Sequence, residues 1–216
     1  MIKRLAFLAA LLCALPASAQ DAEPRPAPTA EQIATAKSEA DRIIAAGDAT
    51  DVFENATTSA LIVVRHRPSD LLCHFIGDQD RDRLVVIPSS PGTGELRGND
   101  IACSSYIGDI ELTLYFTLYA DGHSAQENTQ RAVDAIINRY PDLKPHPGDL
   151  TIISGPDGDP NWAAFDVTAD GRDLMTFVAV TKIGDWMIKA RATGPVQDAN
   201  HVSTLATALM MRAQRK

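Results

Sequence analysis

The chain has 216 residues, with 20 Lys or Arg against 28 Asp or Glu, and a formal net charge of −8. An acidic chain repels phosphate at long range, which argues against nucleic acid or anionic lipid headgroups as partners. The length suits one domain of ordinary size with enough chain to bury a sizeable core.

Met1 to Ala19 reads as a secretory signal peptide, and the chain is therefore expected in the periplasm or secreted. Lys3 and Arg4 form the positive n-region, Leu5 to Leu15 the apolar h-region, and Ala17-Ser18-Ala19 the small-residue cleavage site. The apolar run is shorter than the ~20 residues of a membrane-spanning helix, so no membrane insertion is expected after cleavage. Leu12 stands before Cys13 where a lipid-attachment motif takes a small residue, so Cys13 is expected to leave with the signal. Cleavage would leave 197 residues from Gln20, with 18 basic and 28 acidic side chains and a net charge of −10. Two cysteines then remain, Cys73 and Cys103. An even count in an exported chain reads as a disulfide. Closing a loop of about thirty residues would contribute roughly 3 to 4 kcal/mol by chain entropy. Two buried thiols or a redox pair are the alternatives, and no C-x-x-C spacing supports the latter.

Gln20 to Pro28 is a Pro/Ala-rich tether, and residues 29–216 are expected to form a single domain. Thr29-x-x-Gln32 has capping-box spacing and opens a helix carrying Ile33, Ala36, Ala40, Ile43 and Ile44, with Gly47 as its stop. Ser59 to His66, Leu71 to Ile76, Leu84 to Ile87, Ile101 to Tyr106 and Ile110 to Tyr119 read as strands, the last with both faces apolar near its end. Between them lie a turn at Pro68-Ser69-Asp70, a charged turn over Asp78 to Arg83, and a Gly/Pro-rich loop over Ser89 to Asp100. Ser124-x-x-Glu127 opens a second helix with Ala132, Val133, Ile136, Ile137 and Tyr140 inward, ended by Pro141. A short strand is predicted at Leu150 to Ile153. Pro195 suits the first turn of a last helix, with Val202, Leu205, Ala206, Leu209 and Met210 inward and Arg212, Arg215 and Lys216 at its negative end.

The best-specified stretch runs from Trp162 to Thr193. Asp170-Gly171 and Gly184-Asp185 are two-residue hairpin loops, so three antiparallel strands are expected. Two-residue loops fix the register: Val167 opposite Leu174, Phe165 opposite Thr176, Val180 opposite Lys189, and Val178 opposite Arg191. One face then carries Trp162, Ala164, Met175, Phe177, Ala179, Ile183, Trp186, Ile188, Ala190 and Ala192, a core face. The other carries Ala163, Phe165, Val167, Leu174, Val178, Val180 and Met187 together with Lys189 and Arg191. It too is mostly apolar, which implies a cover on both sides and at least three layers. The expected fold class is α+β, a mainly antiparallel sheet with helices on both faces in an α-β-α sandwich.

No linear catalytic frame stands out. There is no G-x-S-x-G elbow, and the histidines (His66, His74, His123, His146 and His201) have no metal-ligand spacing. Asp78-Gln79-Asp80-Arg81-Asp82 opens like a calcium loop, but Arg83 stands at the sixth place and Ser89 at the twelfth, so it reads as a solvated turn. Asp157-Gly158-Asp159 reads as ordinary turn chemistry. The Ser89 to Gly98 glycines precede a strand rather than a helix, so they read as a flexible loop, not a phosphate cradle. No cofactor and no metal is implied. Lys189 and Arg191 remain as the candidate ligand-binding residues, two cations side by side on a part-covered apolar surface. They would bind an anionic ligand or an acidic partner segment. The alternatives are an edge strand's guard against aggregation and pairing with carboxylates from a neighbouring helix.

The run FVAVTKIGDWMIKARATGP resembles the tail of uncharacterised secreted proteobacterial proteins, in which a K-x-R-x-T strand precedes a final helix. That resemblance implies an exported domain and transfers no catalytic residue. The strand-helix order is also similar to that of the PsbP-like α-β-α sandwiches, which serve as binding and assembly factors, an analogy at the level of fold alone. The expected function is a non-catalytic domain of the cell envelope that binds a protein partner or a small anionic ligand. A hydrolase or transferase without a linear motif is the alternative.

Overall fold

The computed structural model describes residues 26–88, 96–120, 122–156 and 158–214. The expected signal peptide, most of the tether, residues 89–95 of the Gly/Pro-rich loop, Asp157, Arg215 and Lys216 lie outside the described residues.

Helix α1 (Ala30–Ala46) starts at the predicted box. Thr29 Oγ1 accepts from the Gln32 N–H at 3.2 Å, and Gln32 Oε1 accepts from the Thr29 N–H at 2.8 Å. Each bond satisfies an N–H that the helix start would leave unpaired. Strands β1 (Phe53–Asn55), β2 (Ile62–His66) and β3 (Leu72–Phe75) form a small sheet of their own, in that order. Strands β4 (Arg83–Val86), β5 (Asp100–Ile107) and β6 (Ile110–Leu118) lead to helix α2 (Ala125–Arg139). Strands β7 (Lys144–Pro145), β8 (Asn161–Ala169), β9 (Arg172–Ile183) and β10 (Trp186–Pro195) lead to a 3-10 turn, Val196–Asp198, and helix α3 (Ala199–Ala213).

The second sheet has seven strands in the order β4-β5-β6-β10-β9-β8-β7, all antiparallel. It is two meanders, β4 to β6 and β7 to β10, joined where β6 meets β10. The fold is therefore α+β and mainly antiparallel, as the alternation of the strands implies. A single sheet was expected; the separate β1-β2-β3 sheet is the difference. It arises because β3 ends at Phe75 and the chain turns through 78–82 before β4, so β3 and β4 do not pair.

The register of the last meander matches the two-residue turns: Val167 lies opposite Leu174, Phe165 opposite Thr176, Val180 opposite Lys189, and Val178 opposite Arg191. Alternation along β9 then separates two cores. Met175, Phe177 and Ala179 join one with Ile188, Phe116 and the buried residues of α1, α3 and the small sheet. Val178 and Val180 join Met187 and Ile136 of α2 in the other, with Phe165, Tyr140 and Leu143 against them. Helices thus lie on both faces of the seven-stranded sheet, with the small sheet sharing the side of α1 and α3.

Cys73 on β3 and Cys103 on β5 form a disulfide with their Cα atoms 6.2 Å apart. It ties the small sheet to the large one, 30 residues on in sequence. Gly194 marks a close approach on the same face. A Cβ there would stand 2.8 Å from Ile110 Cγ1 and 2.8 Å from Val202 Cγ2, so a side chain at this position would displace Ile110 or Val202 where α3 packs on β10 and β6.

Four expectations are corrected. Leu150 to Ile153 is extended but pairs with no strand. Side chains of α3 serve its backbone instead: Asn200 Oδ1 accepts from the Thr151 N–H, Thr207 Oγ1 accepts from the Ile153 N–H, and Ser203 Oγ donates to the Thr151 carbonyl. Pro195 ends β10 rather than opening α3, since its carbonyl side enters the 3-10 turn first. Trp162 and Ile137, expected inward, are each 43% exposed; Trp162 lies over Phe177 at 6.0 Å as the outer cover of that core. The Asp78 to Arg83 turn is not wholly solvated. Asp82 is buried, where it accepts from the Gly77 N–H at 2.7 Å, the Asp78 N–H at 3.0 Å and the Ser105 hydroxyl. Burial raises its pKa while these bonds pull it back down.

The Asp159 carboxylate accepts from the Ser154 hydroxyl, and the backbones of Gly155 and Gly158 pair with each other. No helix among the described residues is long and apolar enough to cross a membrane.

Candidate anion-binding site

The face of the large sheet that α2 covers is apolar only under the helix. α2 packs on β9 and β8. Beyond it, over β6, β5 and the near side of β10, the same face turns polar. Alternation along β6 places Glu111, Thr113, Tyr115 and Thr117 there, while Leu112, Leu114 and Phe116 go to the core on the opposite side. Lys189 lies opposite Tyr115, Arg191 opposite Thr113, and Thr193 opposite Glu111. The two cations singled out in the sequence thus sit where the apolar strip gives way to a polar floor.

This placement removes the edge-guard reading. β10 is a central strand, hydrogen-bonded to β6 on one side and β9 on the other, so it has no free edge to guard. The helix that overhangs them brings another cation to the cavity, Arg139, at its last turn. Together these enclose a cavity of about 120 Å³ lined by Arg139, Arg191, Thr113, Thr193, Tyr115 and Tyr140, with Glu111 at one end. A second lobe of about 260 Å³ shares Glu111, Arg139, Tyr140 and Thr193 and extends to Tyr106, Arg81 and Arg172.

The cations are held mainly by rings. The Lys189 ammonium lies 4.1 Å from the centre of the Tyr115 ring, the Arg139 guanidinium 5.4 Å from that of Tyr140, and the Arg81 guanidinium 4.8 Å from that of Tyr106. A ring quadrupole positions a cation without neutralising it. Arg81 also pairs with Asp78 at 2.7 Å, so its charge is partly spoken for.

Burial lowers the pKa of Lys189; the Asp100 carboxylate pulls it back up, and Arg191 adds to the lowering. Asp100 is itself raised by burial, against the Thr117 hydroxyl, which donates to its Oδ1 at 2.8 Å, and against Lys189. Burial also raises the Tyr115 phenol, with Arg191 opposing. Lys189 is the inner, half-buried member of the set, and it is Arg191 whose side chain lines the cavity.

Chemically, two guanidiniums flanked by four hydroxyls can hold a carboxylate, phosphate or sulfate group, since a guanidinium matches such oxygens in bidentate fashion. Sequence reasoning singled out Lys189 and Arg191, of which Arg191 lines the cavity, and did not single out Arg139, Tyr115, Tyr140 or Glu111. The alternation Glu111-x-Thr113-x-Tyr115-x-Thr117 was the available signal for β6. Arg139 had none, because its place is set by how α2 docks.

A different, mainly apolar groove of about 720 Å³ lies between β3 and the end of α3, lined by Leu61, Leu72, Ile153, Pro156 and Met211 with His74 and Arg212. His74 Nε2 hydrogen-bonds with the Arg212 carbonyl at 3.1 Å. At the far edge of the large sheet, His146 Nδ1 and Asp166 Oδ1 lie 2.6 Å apart, next to the β7–β8 pairing.

No protein-family model matches the chain, and no curated protein does.

Proposed function

We propose that the protein is a non-catalytic, exported domain that binds a small anionic ligand in the cleft between the end of α2 and the polar half of the large sheet. One observation carries the reading: Arg139 and Arg191 converge on one hydroxyl-lined cavity in a chain of net charge −8. Their neighbours are rings and hydroxyls more than carboxylates, which leaves positive potential for a ligand. The signal-peptide pattern and the Cys73–Cys103 bridge support an oxidising compartment outside the cytoplasm.

Titration calorimetry with acetate, succinate, phosphate and sulfate tests the reading. At least one is expected to bind, more weakly as salt is raised, and Arg191→Ala is expected to weaken it by about tenfold or more, the worth of one charge-assisted hydrogen bond. Binding that is unchanged in Arg191→Ala would overturn it. A protein partner is the second reading, favoured by the apolar groove beside β3. It predicts a crosslinked species from the cell envelope that disappears with Leu72→Asp.

A further inference from the structure

The cleft is not uniformly positive. Glu111 lines the cavity beside Arg139 and Arg191, and it belongs to both lobes. A site meant for a simple anion gains nothing from a carboxylate in its wall, since the two negative charges repel. The register shows where it stands. Glu111 faces Thr193 and Arg191 faces Thr113, so the two charges sit diagonally on adjacent strands, one step of the polar face apart. Among the described residues no ion pair joins Glu111 to Arg191 or Arg139. Glu111 and Arg191 both line the cavity, and the Glu111 carboxylate also accepts from the Tyr106 phenol on the side of the second lobe.

Two further features of the lining attract positive charge. The wall at Arg139 and Tyr140 is the carbonyl end of α2, the negative pole of the helix. The Tyr140 and Tyr115 rings offer their faces to cations, as the positions of Arg139 and Lys189 on them demonstrate. One cavity thus carries groups that favour an anion and groups that favour a cation.

We propose that the ligand of this cleft is a free α-amino acid in its zwitterionic form. Its carboxylate lies between Arg191 and Arg139, with Thr113 and Thr193 donating to it. Its ammonium lies against Glu111 and the end of α2. The side chain extends into the second lobe toward Tyr106 and Arg172. The proposal rests on the anion reading of the cleft and refines it.

The test is calorimetry on the full chain with L-serine and L-glutamate, their N-acetyl forms, and their α-amides. The free amino acids are expected to bind. N-acetylation, which removes the ammonium, is expected to weaken binding about tenfold or more, and amidation of the carboxylate by a similar factor. Glu111→Gln should weaken the free amino acids by that factor and leave the N-acetyl forms unchanged, whereas Arg191→Ala should weaken both. Glu111 is itself exposed, between the buried Ile110 and Leu112, so the isosteric Gln variant keeps the strand intact. Equal binding of free and N-acetylated forms, with Arg191 still required, would overturn the zwitterion and leave the anion reading standing. Loss of neither form in Arg191→Ala would overturn both.

Discussion

Acid should weaken this fold through His66, a side chain that the sequence presented only as the end of a strand. The residue is 0% exposed and closes the face shared by both sheets. Its ring lies 5.1 Å from Phe53, 5.0 Å from Trp186 and 6.0 Å from Phe116. Nε2 lies 3.0 Å from the Gly98 carbonyl, which can only accept, so Nε2 carries the proton and donates. Nδ1 then accepts from the Ser69 hydroxyl at 2.7 Å, and Ser69 Oγ in turn accepts from the Leu71 N–H. The neutral ring is fully matched. A second proton on Nδ1 would face a hydroxyl already arranged to donate to it.

Burial pushes the His66 pKa from 6.5 down to about 4, with the bond to Gly98 working the other way. The unfolded chain therefore takes up a proton that the folded chain refuses between pH 6.5 and about 4. Stability is full above the unfolded value, falls as pH drops through that window, and levels off below it. The difference in pKa corresponds to about 3 kcal/mol. His74 is also lowered by burial and acts in the same direction. Asp82 and Asp100, raised by burial, act against it. The clean measurement is therefore a difference between two proteins. His66→Gln keeps an N–H for the Gly98 carbonyl, loses the ring packing, and does not titrate. Urea unfolding followed by tryptophan fluorescence at pH 7.5 and pH 4 gives the free energies. The variant is expected to be less stable at pH 7.5, and the gap is expected to close by about 3 kcal/mol on going to pH 4. Parallel pH dependences for the two proteins would refute the assignment.

Removing the disulfide as Cys73→Ser with Cys103→Ser should cost about 3 to 4 kcal/mol, and reductant should lower the wild-type melting temperature while leaving the double variant's unchanged. Gly194→Ala should destabilise by about 1 to 3 kcal/mol through the clash of the added methyl with Ile110 and Val202, read as a lower urea midpoint. A normal midpoint would mean that α3 moves aside at little cost.

The chain's local signals settled what depends on neighbours in sequence. Two capping boxes started α1 and α2 at the predicted residues, because an N-cap bond spans three positions. Two-residue turns at Asp170-Gly171 and Gly184-Asp185 set the register of β8, β9 and β10, and with it the faces on which Lys189 and Arg191 lie. What stayed hidden depends on packing between distant segments. No pattern showed that β10 would pair with β6 and become central, since pairing of non-consecutive strands is decided by which faces both bury. Nor did any pattern show that Leu150 to Ile153 would take its bonds from α3 side chains instead of a strand. The cleft belongs to this second group. Lys189 and Arg191 were legible as cations that packing alone does not account for, because alternation is local. Their partners Tyr115, Arg139 and Glu111 come from a different strand and from the last turns of a helix, and only the docking of α2 across the sheet brings them to one cavity.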